Sequence, residues 1–427
     1  MFSQNGLSLD QAPPIGVVFR FFLIGSAWGM VAGALLLAAG ESLWNPSAPV
    51  TLMMVHAWTL GVWMSFMIGA LFQMLPVLAG VAFAAPVPMA IRTQYPMLVG
   101  TLLLVVAFGH PSPILFGLGA VLLLVGLAPA LIIMVMRLYR VATHTPASRG
   151  ITYAVFHALI TLLLGAMLVG MRLGWWSADP YLPLRTAHIG YGLLGWVALL
   201  ILSVALQVVE MFYVTPPYPS RLTRWLPLSI AAVLVGALIA GRFSLPLQQG
   251  LHLLALGGLV LWGAITLRRF SQRKRPLTDA TVWLWRLGSL LLVVAMVGVA
   301  VSIVATPPET VWRLGAVAFV GFVTSILLAM SYKIVPFLTW FHLNAQGYYN
   351  APMMHEVIHP RYALRHLWIH LAALASLTLG IFVPQLLPIA GGLFVLSFGW
   401  LFVAIYRAWH LYRAIQATGE RFEMPRV

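Results

Sequence analysis

The side chains best suited to chemistry in this 427-residue sequence are its twelve histidines, set against no cysteine and nine acids. His56, His188 and His252 each fall near the start of a long apolar run. A second group comprises His342, His355, His359, His366 and His370, with His157 at the start of another apolar run. Neutral imidazole ligates zinc, copper and iron, and an ionisable group inside a membrane span is costly enough to be a functional candidate by default. His355/His359 and His366/His370 are i, i+4 pairs, which place two imidazoles on one helical face and suit a divalent ion or copper, with Glu356 able to add an oxygen. Pro360 disfavours helical geometry at His359 and weakens the first pair. The plainer readings stay open. A buried histidine can be neutral and hydrogen-bonded within the bundle, and the second group can serve as amphipathic anchors beside Tyr348, Tyr349 and Trp368. Met53, Met64, Met67 and Met74 add thioethers near His56, which suit Cu(I) or simply fill irregular gaps.

Four further polar residues lie in apolar surroundings. Gln73, Gln207 and Lys333 each follow a glycine (Gly61, Gly195, Gly321) by twelve residues, and Glu210 stands where the other two segments have Pro76 and Pro336. A lone Lys or Glu in hydrocarbon costs at least about 2.5–3.5 kcal/mol, so a Lys333–Glu210 pair is expected, either as part of an ion path or as a lock between two helices.

The elements that position these residues follow from composition. The chain is 61% hydrophobic and 8% charged, far from the balance of a soluble protein, so disorder, a disulfide scaffold and a cytosolic enzyme are excluded. Apolar runs at 16–40, 50–79, 94–109, 112–136, 151–171, 184–214, 225–241, 246–267, 284–305, 312–341, 364–383 and 386–406 predict an all-α polytopic membrane protein with 12 transmembrane helices in one domain, 1–427. No stretch alternates in the manner of a membrane β-barrel. Residues 1–15 contain no Lys or Arg, so a cleavable signal is not expected. The net charge of +15 is concentrated after even-numbered spans, as at Arg137, Arg140, Arg149, Arg268, Arg269 and the C-terminal tail. That bias predicts an inner-membrane protein with both termini cytoplasmic, and it accounts for the charge without nucleic acid. The lipid bilayer is the expected partner. There is no Walker loop, no dinucleotide fingerprint, and too few acids for paired-carboxylate chemistry.

The equal glycine offsets fall on the second, sixth and tenth spans. The closing spans also end alike, in Arg137-Leu138-Tyr139-Arg140, Arg268-Arg269-Phe270 and Leu411-Tyr412-Arg413. These features predict three pseudo-repeated four-helix units, at about 16–140, 151–270 and 284–413. The string from His56-Ala57-Trp58-Thr59-Leu60-Gly61 to Gln73-Met74-Leu75-Pro76 resembles the second helix of the catalytic subunit of haem–copper oxidases and nitric-oxide reductases, whose NnrS-like relatives are a neighbouring group.

The resemblance implies a subunit I-like architecture with haem b and copper as cofactors. It implies His56 as a haem ligand and His188 as a copper ligand, with His252 a further cofactor candidate; His366, His370, His342 and His157 remain the metal candidates outside it. The family also requires two histidines on the seventh helix and two on the outer half of the tenth, and Trp225–Gly241 and Trp312–Gly321 contain none. The expected function is therefore haem or copper binding in electron transfer or in nitric-oxide or metal handling, not complete oxidase turnover, with other membrane subunits or an electron donor as partners. The alternative is a cofactor-free transporter, assembly factor or partner subunit on the same scaffold.

Overall fold

The computed structural model describes residues 12–177, 179–275, 277–305 and 309–422, with the backbone alone for Val304. Twelve long helices account for most of it: α1 (Ile15–Ala39), α2 (Pro49–Ala79), α3 (Pro86–Gly109), α4 (Pro113–Tyr139), α5 (Pro146–Arg172), α6 (Tyr181–Tyr213), α7 (Ser220–Ala240), α8 (Leu245–Ser271), α9 (Ala280–Val304), α10 (Thr310–Ala345), α11 (Pro360–Leu379) and α12 (Leu387–Thr418). Eleven are long and apolar enough to cross a bilayer. The remaining one, α11, has 20 residues, about 30 Å of helix, but Arg361, Arg365, His366 and His370 lower its hydropathy. Among the described residues there is no strand, only an isolated bridge between Tyr348 and Arg421.

Helix starts follow local chemistry. Ser112, Thr145 and Ser244 each accept a hydrogen bond from a backbone N–H three residues on, and each is followed within the first turn by a proline, where a missing N–H costs nothing. The same rule corrects the predicted span at 94–109. It begins at Pro86, because a proline pair at the first turn starts the helix and Arg92 lies on it without breaking it.

Consecutive helices pack side by side, and α12 returns to pack along α1. Gly33 and Gly391 bring those two backbones together, since a Cβ on Gly391 would lie 2.7 Å from the Gly33 carbonyl oxygen. Three long apolar spans lie innermost. In α2, α6 and α10 the most apolar stretch is 89%, 78% and 78% buried, against 28–50% in the other spans. Their halves nearer the basic connections, with Phe22 of α1 and Trp285 of α9, enclose a cavity of about 110 Å³.

α2 and α6 share two irregularities. Each has an eight-residue π-helical segment, Ala57–Met64 and Tyr191–Ala198, with Gly61 and Gly195 at the fifth position. Each ends in a left-handed residue nineteen positions after that glycine: Gly80 at φ 63° and Val214 at φ 53°. Val214 is β-branched, for which this conformation is strained. Its carbonyl accepts from the Lys274 N–H at 3.1 Å, an anchor beyond the helix. α10 has neither irregularity and runs as regular α-helix through Gly321.

Candidate functional site

His56, His188 and His252 occupy one register position. Each lies seven residues after its helix start, at Pro49, Tyr181 and Leu245, so each is about 10 Å into a helix entered from the end opposite the basic connections. The His56 Nδ1 bonds the Leu52 carbonyl of its own helix at 2.8 Å, and its ring stacks on Phe108 of α3 at 4.7 Å. The His188 Nδ1 bonds the Thr161 carbonyl of α5 at 3.1 Å, and Gly165 leaves space for its ring. A carbonyl only accepts, so Nδ1 carries the proton in both rings. In a neutral imidazole that leaves Nε2 with a free lone pair, the arrangement in which histidine ligates metals.

Their setting is built by the π segments. One begins at the residue after His56, and the other three residues after His188. Such segments concentrate at functional sites, because widening the turn re-aims side chains. Gly61 sits within van der Waals reach of Trp28, and Gly195 against His157, so neither position tolerates a side chain without movement.

His252 packs against the same turn of α6. A Cβ on Gly190 would lie 2.3 Å from His252 Nε2, and that nitrogen is buried without a hydrogen-bond partner. Among the described residues no three His, Asp or Glu side chains gather as a metal cluster.

The other predicted ligands do not assemble. His366 Nδ1 is hydrogen-bonded to the Tyr332 hydroxyl at 2.8 Å and its Nε2 to Ser397 at 2.7 Å, so both nitrogens are occupied. His370 Nε2 bonds Ser325 at 3.0 Å. The i, i+4 pair thus fastens α11 to α10 and α12, with both His366 nitrogens occupied and His370 Nδ1 buried without a partner. His157 bonds the Tyr153 carbonyl at 2.7 Å, stacks near Tyr191 at 5.0 Å, and turns Nε2 toward the α7 backbone at Ala231 without closing a hydrogen bond. His342 lies near the far end of α10, its Nε2 buried and unpartnered. His355 is exposed on a helical turn, Met354–Val357, while His359 caps α11 by accepting from the Arg361 N–H at 3.2 Å, so Pro360 does separate that pair.

The expected Lys333–Glu210 pair is also corrected. Lys333 Nζ contacts Asp279 Oδ2 at 2.6 Å, while Glu210 accepts from the Tyr218 N–H at 2.9 Å. Asp279 caps α9 by accepting from the Thr281 and Val282 N–H groups. Burial works to raise the Asp279 carboxyl, but the Lys333 ammonium and these donors outweigh it and hold the group below the usual carboxylate range. An Asp before the helical pattern of α9 is an N-cap signal, and it identifies the acid that sequence reasoning left out.

No family model matches the chain, and no curated protein matches it.

Proposed function

We propose that this integral membrane protein, with the lipid bilayer as its partner, binds haem or copper between His56 and His188. In this reading it acts in electron transfer or in nitric-oxide or metal handling, on a haem–copper oxidase-like scaffold of three four-helix units, in an inner membrane with both termini cytoplasmic. The observation that carries the reading is the shared tautomer. Two imidazoles at equal depth on the two π-containing central helices each commit Nδ1 to a carbonyl and leave Nε2 free. Two such nitrogens would hold a haem iron or supply two of the ligands of a copper ion. The residues present do not fit a haem–copper pair. α7 has no histidine, and the one in α10, His342, lies three residues from the helix end remote from His56. The bound group would supply one-electron chemistry or, for copper, a coordination position for a diatomic; His56 and His188 would hold it, with Phe108 stacked on the His56 ring.

The test is an absorption spectrum of purified protein, oxidised and dithionite-reduced, with elemental analysis of the same sample. A Soret band or stoichiometric copper, lost in H56A and H188A, supports the reading. Protein expressed with haem and copper supplied that holds neither overturns it. The second reading, a cofactor-free transporter, assembly factor or partner subunit, is favoured by the absence of ligands on α7 and α10 and by the apolar cavity on the bundle axis.

A further inference from the structure

The cavity enclosed by α2, α6 and α10 is distinct from the histidine site, lying in the opposite halves of the same helices. Its wall runs from Phe66 to Leu78 on α2, from Leu200 to Phe212 on α6 and from Ile326 to Leu338 on α10, each about 18 Å of helix. A volume of about 110 Å³ spread over that length describes a narrow tube. By volume alone it has room for several waters, at about 10–15 Å³ each. The wall does not support them, because a buried water needs two to four polar partners and the wall is almost wholly carbon and thioether.

Three polar side chains interrupt it. The Ser331 hydroxyl already donates to the Leu327 carbonyl at 2.8 Å, and the Trp285 indole N–H, a donor only, is buried without a hydrogen-bond partner. Gln73 differs. It is 5% exposed, it lines the tube, and its Oε1 is buried without a hydrogen-bond partner. An unpaired buried amide oxygen costs free energy that a ligand donor would return. An apolar pocket with one or two placed polar groups is the usual form of a small-molecule site.

From this juxtaposition we propose that the tube binds a lipophilic small molecule carrying a single hydrogen-bonding group, with its apolar body between the three central helices and its polar group on the Gln73 carboxamide. Ala205, fully buried on α6, and Ala70 on α2 line the tube and leave the room the body occupies. Ser331 stands as a secondary acceptor.

The test uses the full chain in nanodiscs and two single-ring probes followed by ligand-observed NMR, aniline and benzene, which share an apolar body and differ by one amino group. The proposal expects saturable binding of both, tighter for the amine. Q73L, close in volume, should weaken the amine by about three- to tenfold and leave benzene unchanged, the size of one net hydrogen bond. A205L should abolish both, and A70L repeats that test from the facing helix if A205L does not fold. Equal affinity of the two probes for wild-type protein and Q73L overturns the role of Gln73. Binding that survives both A205L and A70L overturns the tube as the site. Ordered water bonded to Gln73 along the tube in an experimental structure overturns the proposal as a whole.

Discussion

The half-buried His56 and His188, on two different helices, and the fully buried His366 and His370, one turn apart on α11, differ in what their nitrogens touch. At His366 both ring nitrogens meet hydroxyls from neighbouring helices, Tyr332 and Ser397, so the ring is a cross-brace with no remaining valence for a ligand. At His56 and His188 the only protein bond is from Nδ1 to a backbone carbonyl, which orients the ring and leaves Nε2 open. The contrast is sharpest between His366, with both nitrogens satisfied, and His56 and His188, with one each; His370, bonded through Nε2 alone with Nδ1 buried and unpartnered, falls between them.

Four measurements follow from these arrangements. The largest contrast is in bound cofactor: H56A and H188A should each bring haem or copper content to background, whereas H366A should leave it intact, as read by absorption and elemental analysis. Loss of the cofactor in H366A would erase the distinction. Next in size is stability. H366A leaves the Tyr332 and Ser397 hydroxyls buried and unpaired, at about 1–3 kcal/mol each, and should lower the thermal midpoint well below that of H56A in metal-free protein. Third, G195A would place a Cβ 2.6 Å from the His157 ring, so it should cost about 1–3 kcal/mol and disturb the π segment; a midpoint equal to wild type would mean that α6 absorbs the strain.

The smallest effect concerns the Lys333–Asp279 pair, whose acid is 42% exposed and therefore contributes about 1 kcal/mol or less. The Asp279 carboxyl is held below its unfolded value, so its contribution is complete above about pH 4 and is lost as pH falls through the folded value. K333M should be less stable than wild type at neutral pH, and the difference should close below about pH 4. A gap that persists in acid would assign the effect to packing of the lysine stem.

Much of the architecture was legible because the period and length of apolar runs are set by the bilayer, and all twelve predicted spans coincide with long helices. The displaced boundaries share one cause. Pro86 and Ser220 precede charged residues, Arg92 and Arg221, that hydropathy reads as loop but a helix end accommodates. The site was legible as residue types and depth, not as partners. The carbonyl of Thr161 and the hydroxyls of Tyr332, Ser397 and Ser325 are distant in sequence from the histidines they meet, and no spacing rule connects them. The π segments have no pattern of their own beyond a central glycine, because hydrogen-bond register is a property of the backbone.

Those segments set the angular phase of everything beyond them. A π turn holds one residue more than an α turn, and each additional residue rotates the rest of the helix by about 100° about its axis. Gln73 and Met74 on α2, and Val208 and Met211 on α6, lie beyond those segments and line the cavity. Removing a single residue between Ala57 and Met64 would leave α2 helical and equally apolar while turning Gln73 away from the axis, so the length of that segment acts as a key that decides which residues line the interior.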